Sequence, residues 1–202
     1  MKNLWIISAD KKEIPLIDVF LKENKYTDFQ IDHHTCGVGL FESYFQFMNL
    51  LNTCIPPDVV CLAGSAGSPY AADIFKTTLS NQFINPQFNF EELPEFLPAQ
   101  WTTGIIESPV FSNDLLNVPV YSTFGISNSN DHIKDSMAGA WENMEALSLS
   151  YICMKKQIPF MALLCCTNQI CPEGRKQWKQ NYEKAGLILI DQLKKVFKNI
   201  NV

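Results

Sequence analysis

Two glutamates stand out by their surroundings. Glu145 lies in WENMEALSLS, among residues that are mostly apolar or small. A glutamate is rarely buried without a partner or a task. The plain alternative is a partly exposed helix glutamate beside Glu142. Glu13 follows the first apolar run, in ADKKEIP, where a solvated face is the commoner fate. Asn168 follows a third kind of context, the apolar run FMALLCCT. Its amide can donate to and accept from a ligand, or simply cap a turn. The segment AGSAGS, residues 63 to 68, adds a glycine cluster. Glycines there let backbone approach a ligand closely, and successive amides can hold an oxygen-rich group. A tight structural turn explains the same residues equally well. The spacing is not that of a dinucleotide-binding loop, and the lysine of a Walker loop is missing.

Metal chemistry is not indicated. His33 and His34 are adjacent, His132 stands alone, and the seven cysteines lack finger spacing. No cofactor follows from the chemistry either. The serines between Ser122 and Ser136 read as loop rather than as nucleophiles.

The elements that must position these groups alternate. Asn3 to Ala9 reads as a buried strand, and Pro15 to Asn24 as a first helix with proline at an early position. Phe29 to Cys36 is a weaker strand. The glycine turn Cys36-Gly37-Val38-Gly39 leads into a helix over Leu40 to Cys54, which Pro56-Pro57 ends. Asp58 to Ala63 is the best strand and runs into the glycine cluster. Residues 76 to 100 show no periodicity and read as loop with short pieces of structure. Pro119 to Thr123 and Phe160 to Thr167 read as strands, and Trp141 to Gln157 as a helix. Gly174 to Phe197 holds the last helix, with a kink or break expected near Gly186. Alternation of this kind favours an α/β domain with a buried sheet covered on both sides. One domain spans residues 1–202, and no linker divides it.

Composition narrows the class. The chain is 47% apolar with a formal charge of -5, and its charges are interspersed. No basic field suggests nucleic acid. The cysteine count is odd, and several cysteines lie inside apolar runs, so they read as buried thiols of a reducing compartment. The longest apolar run, IPFMALLCC, is about half of a membrane span. A soluble, cytoplasmic protein with no membrane partner is expected.

Five segments occur in an order that resembles the nucleoside phosphorylase and nucleosidase superfamily. They are IISADKKEIPLI, CGVGLFESYFQF, PPDVVCLAGSAGS, WENMEALSLSYIC and PFMALLCCTNQICPEGRKQW. The nearest branches look like futalosine hydrolase and methylthioadenosine/adenosylhomocysteine nucleosidase. The resemblance implies a three-layer α/β/α fold with a central twisted mixed sheet. It implies that the partner is a small purine nucleoside, bound by a homodimer whose neighbouring subunit closes the 5' end. The phenylalanines between Phe83 and Phe96 suit such a contact, or core packing, equally well.

The resemblance also implies roles. Glu13 matches the carboxylate that activates the attacking water, and Glu145 the one that holds ribose hydroxyls. Met144 matches the methionine packing under the ribose. Gly64, Ser65, Ala66 and Gly67 match the nucleoside-binding glycine turn. Ser122 to Ser127 matches the base pocket, with Phe124 as a stacking partner. Asn143 stands where many relatives carry an acid. Asn168 replaces the aspartate that protonates N7 of adenine, and in the family this position tracks with 6-oxopurines. Futalosine carries such a base, so its hydrolysis, a step of menaquinone synthesis, is the preferred expectation. Cleavage of methylthioadenosine or adenosylhomocysteine is the alternative. Phosphorolysis is disfavoured by a single arginine, Arg175, and by leucine at position 40. A nucleoside-binding protein without turnover is the alternative outside enzymes.

Overall fold

The computed structural model describes residues 2–23, 29–84, 105–107, 117–123, 125–129 and 138–199. In chain order the strands are β1 (Lys2–Ser8), β2 (Phe29–Thr35), β3 (Val59–Ser68), β4 (Thr77–Ser80), β5 (Gln82–Ile84), β6 (Ile105–Glu107), β7 (Val120–Tyr121), β8 (Trp141–Glu142) and β9 (Phe160–Gln169). The helices are α1 (Ile17–Glu23), α2 (Leu40–Thr53), α3 (Ala146–Lys156) and α4 (Gly174–Asn199). Single 3-10 turns occupy Lys11–Glu13 and Ala71–Asp73.

The described strands form one mixed sheet. Its main path runs β2-β1-β3-β8-β7-β5-β6, and β9 lies between β3 and β4. Strands β1, β2, β3 and β9 are mutually parallel where they pair. The antiparallel pairs are β4 with β9, β5 with β6, and β3 with β8.

The two-residue period of the central strands sorts their side chains into two cores. Leu4, Ile6, Val59, Cys61, Met161 and Leu163 face α1 and α4, meeting Phe20, Ala185, Leu189 and Leu193. Trp5, Ile7, Val60, Leu62, Ala162 and Leu164 face α2 and α3, meeting Phe47, Leu51, Leu149 and Ile152. Both faces are dry, which is why these strands read as unbroken apolar runs. The result is the α/β/α sandwich with a mixed sheet expected from the resemblance. No helix among the described residues is long and apolar enough to cross a membrane.

The structure corrects several local expectations. AGSAGS is not a turn: β3 continues through it to Ser68, paired with β9 along its length. Small residues suit a strand whose surface is approached by other groups. The helix expected from Trp141 begins only at Ala146, because Trp141 and Glu142 pair with Val120 and Tyr121 as strand. Residues 77–84, read as loop, contribute two short strands. Phe83 is fully buried against Phe160, with ring centroids 4.9 Å apart, and so serves the core rather than a subunit contact. Residues 85–100 lie outside the described residues.

Helix α4 also runs unbroken through Gly186, where a kink was expected. The glycine serves packing instead. A Cβ built there would lie 2.5 Å from both the Glu13 carbonyl oxygen and Pro15 Cδ. Alanine is the better helix former by about 1 kcal/mol. Gly186→Ala should nevertheless destabilise the protein by roughly 1–3 kcal/mol, the usual range for overpacking. Urea unfolding checks this, and a stabilised variant would show that the contact is soft.

Candidate active site

A cavity of about 950 Å³ opens where the carboxyl ends of β1, β3 and β9 meet. This is the edge at which parallel α/β sheets commonly bind ligands. Glu13, Ser65, Ala66, Gly67, Asn143, Met144, Glu145 and Asn168 all line it. The structure thus gathers eight of the ten residues singled out in the sequence. Gly64 lies just behind, where a Cβ would stand 3.2 Å from Glu13 Oε2. Phe124 lies outside the described residues.

Glu13 closes the 3-10 turn that follows β1, a turn begun by Asp10 accepting from the Lys12 amide at 2.8 Å. Its Oε2 accepts from the Ala9 amide at 3.1 Å, and its Oε1 from the Ser65 hydroxyl at 2.7 Å. Ser65 in turn accepts a hydrogen bond from the Trp178 indole N–H of α4, at 3.1 Å. Burial raises the Glu13 carboxyl above its ordinary value, while the bonds from Ser65 and Ala9 pull it back.

Glu145 stands at the mouth of α3 and is only 4% exposed. Its Oε1 accepts from the Gly39 amide at 2.8 Å. Gly39 has φ of +91°, a conformation that glycine adopts without strain. Burial first, then the charge of Glu13, push the Glu145 carboxyl up to about 8. Among the described residues no cation is ion-paired to either carboxylate. The pair therefore titrates as a unit in which one negative charge opposes the other.

Most of the hydrogen-bonding capacity of Asn143 is engaged by the protein itself. Its Oδ1 accepts from the amides of Glu145 and Ala146 at 2.9 and 2.7 Å, which caps α3. Its Nδ2 donates to the Ser65 carbonyl at 3.0 Å. One amide thus ties the Glu145 turn to the strand that holds Glu13.

Asn168 follows a β-bulge. Ala66 pairs with Cys166, but Gly67 pairs with Asn168, so Thr167 is the extra residue. Asn168 Oδ1 accepts from the Thr167 hydroxyl at 2.9 Å, and Nδ2 donates to the Gln169 carbonyl at 3.2 Å. One Nδ2 hydrogen remains for the cavity.

Three features escaped the sequence reading. Glu142 is 4% exposed and lines the cavity. It accepts from Thr123 Oγ1 at 2.7 Å, from the Ser127 amide at 3.1 Å and from the Ser127 hydroxyl, and so ties Thr123 and Ser127 together. Its strand neighbour Trp141 was the available signal. Trp178, which lines the cavity, was given no site role from the sequence. Lys12, Arg175 and Lys179 add basic groups to the lining of the cavity. Among the described residues no three His, Cys, Asp or Glu side chains are placed to hold a metal ion.

No family model and no curated protein matches the chain in sequence. Solved structures match its fold throughout. A variant of the Helicobacter pylori MTAN, with 5'-methylthioadenosine in its active site, has a TM-score of 0.81 at 15% identity, covering 99% of this chain and 100% of that one. A futalosine hydrolase mutant from Helicobacter pylori has a TM-score of 0.79 at 16% identity, with 99% and 100% covered. The Streptococcus pyogenes S-adenosylhomocysteine nucleosidase, in complex with 5-methylthiotubericidin, reaches 0.83 at 14% identity, with 100% and 98% covered. The chain has the nucleoside phosphorylase/nucleosidase fold, and the expected resemblance holds at the level of structure.

The carboxylate pair has a measurable consequence. A carboxyl raised in the folded state stabilises most below its ordinary value of 4.5, and that contribution is lost as pH rises through about 8 for Glu145. The melting temperature of the wild type should therefore fall across that window. Glu145→Gln should flatten the decline, as read by calorimetry against pH; an identical decline in the variant would place the titrating group elsewhere.

Proposed function

We propose that the protein hydrolyses the N-glycosidic bond of a purine nucleoside, and that futalosine is its preferred substrate. The observation that carries this reading is the pair of sheltered carboxylates, Glu13 and Glu145, on one cavity with Asn168.

The chemistry follows from those groups. As the glycosidic bond lengthens, the sugar becomes cation-like. Carboxylates in a water-poor site stabilise such a cation far better than they would in bulk water. Glu13 is placed to take a proton from the attacking water. Its raised pKa makes it a better base than an exposed glutamate. Glu145 accepts from the Gly39 amide through Oε1 and lines the cavity. In this reading its carboxylate accepts from the ribose diol, with Met144 beneath the sugar. The leaving base gathers negative charge. Asn168 offers it an N–H but no acidic proton, which fits a 6-oxopurine better than an adenine.

Two further readings have specific support. Cleavage of a methylthioadenosine-like nucleoside draws on the neighbours crystallised with such compounds. Phosphorolysis draws on Lys12, Arg175 and Lys179, which line the same cavity and suit an anion there. A homodimer is part of the proposal. The apolar side chains Phe41, at 75% exposure, and Phe45, at 64%, stand exposed on one face of α2. Val38, just before that helix, lines the cavity.

Free base released from futalosine, inosine, methylthioadenosine and adenosylhomocysteine, with and without phosphate, tests the proposal. Phosphate-independent hypoxanthine release from futalosine is the expected result. Strict dependence on phosphate would replace hydrolysis with phosphorolysis, and binding without release would remove the enzyme reading. Glu13→Gln should lower kcat by about 100-fold or more with the fold intact; a near-wild-type rate would take Glu13 out of the mechanism.

Asn168→Asp supplies the missing carboxyl. It should shift preference from 6-oxo towards 6-amino bases, read as the ratio of kcat/KM for inosine and adenosine compounds. An unchanged ratio would show that base choice is made elsewhere.

A further inference from the structure

A serine hydroxyl carries one proton and can both give and receive a hydrogen bond. An indole N–H can only give one. Trp178 Nε1 lies 3.1 Å from Ser65 Oγ, so the serine is the acceptor in that contact. The serine's own proton is then committed to Glu13 Oε1, 2.7 Å away. Without the indole, the hydroxyl is free to rotate and to accept from solvent.

The tryptophan is itself held. It stacks on Tyr182 one turn further along α4, with centroids 5.3 Å apart and planes at 22°. Two turns beyond Trp178, the Gly186 backbone rests against the Glu13 carbonyl and Pro15. Helix α4 therefore grips Glu13 twice, by main-chain contact and through a hydrogen-bond relay.

We propose that Trp178 is a positioning residue for Glu13, acting through the Ser65 hydroxyl to fix where the carboxylate points and to keep it ionised. The inference rests on the assignment of Glu13 as the base. Other charged groups border the same site. Glu145 faces Glu13 from the turn before α3, and Cys36 lies between them after β2. Asp10 and Lys12 sit on the same turn as Glu13, and Arg175, Lys179 and Tyr182 approach from α4. None of these is changed by removing a single indole N–H.

Trp178→Phe deletes that N–H and retains an aromatic ring for Tyr182. Loss of a donor raises a carboxylate's pKa. The acid limb of kcat/KM against pH should therefore move upward, with kcat below that limb falling about threefold to tenfold, as one pKa unit is a tenfold change. KM should change less than kcat, since the lost hydrogen bond goes to Ser65 and the phenyl ring keeps an aromatic wall on the cavity that Trp178 lines. Ser65→Ala should reproduce the shift, and adding Trp178→Phe to it should change nothing more. A Trp178→Phe profile that overlays the wild type, or full additivity in the double variant, would overturn the relay.

A second readout needs no turnover. In protein labelled with 15N-tryptophan, the indole signal missing from Trp178→Phe should move with pH and stop moving in Glu13→Gln. If the wild type releases no base but this signal follows Glu13, the proposed activity falls and the relay stands. If the wild type is active and the signal ignores Glu13, the relay falls and the activity stands.

Discussion

The structure depends on sheltering two carboxylates, Glu145 buried and Glu13 half-buried, with no cation ion-paired to either among the described residues. Ionised carboxylates are expensive to bury, and the usual remedy is an arginine or lysine. Here the remedy is a set of neutral donors: the amides of Ala9 and Gly39, and the hydroxyl of Ser65. Under the proposed hydrolysis a cation in contact would quench the charge that the sugar cation meets, whereas amides and hydroxyls hold the carboxyl groups without ion-pairing them. The cost of that choice appears in the raised pKa of both groups.

That requirement explains where the elements go. Each donor is fixed by a different part of the chain. Ala9 lies beyond β1, Ser65 lies within β3, and Gly39 precedes α2. Asn143 couples one of these regions, β3, to the start of α3, since it accepts from the Ala146 amide and donates to the Ser65 carbonyl. The glycines serve the same end. Gly64 gives the Glu13 carboxylate room, Gly186 lets α4 rest on its main chain, and Gly39 turns its amide toward Glu145. Gly186 acts by lacking a side chain and Gly39 by its positive φ, so neither is replaceable by a merely small residue.

Much of this was legible in the sequence, for physical reasons. Central strands buried on both faces leave continuous apolar runs, so β1 and β9 were readable to within two residues and β3 at its start, though not over its last five residues. Helices α2 and α4 carry one apolar side, and their period was visible. The candidate residues were found by chemistry and motif order. Short pairings were not legible. Trp141 and Glu142 sit in a helix-like stretch, and only their tertiary partners Val120 and Tyr121 make them strand. The bulge at Thr167 is a property of two strands together and has no local sequence mark. Gly186 looked like a helix breaker because its packing partner, Glu13, is distant in sequence. The Trp178 relay was hidden for the same reason: 113 positions separate the indole from Ser65.

The choice of leaving group returns to electrostatics. Under the proposed hydrolysis, negative charge moves onto the base near Asn168. A third carboxylate, Glu142, stands close by: a Cβ on Gly67 would lie 2.9 Å from Asn168 Nδ2 and 3.5 Å from Glu142 Oε2. Negative charge beside a departing anion is unfavourable unless the base offers that carboxylate an N–H. Most of the acceptor capacity of Glu142 is already spent on Thr123 and Ser127, chiefly at Oε1. Oε2 keeps room for one more donor, next to the free N–H of Asn168. An acceptor beside a donor matches a purine edge that presents an N–H beside a ring nitrogen or carbonyl. A base lacking that hydrogen would meet the carboxylate's charge with nothing to offset it. Under the proposed hydrolysis, recognition of the base rests on these two side chains, and only Asn168 was readable from the sequence alone.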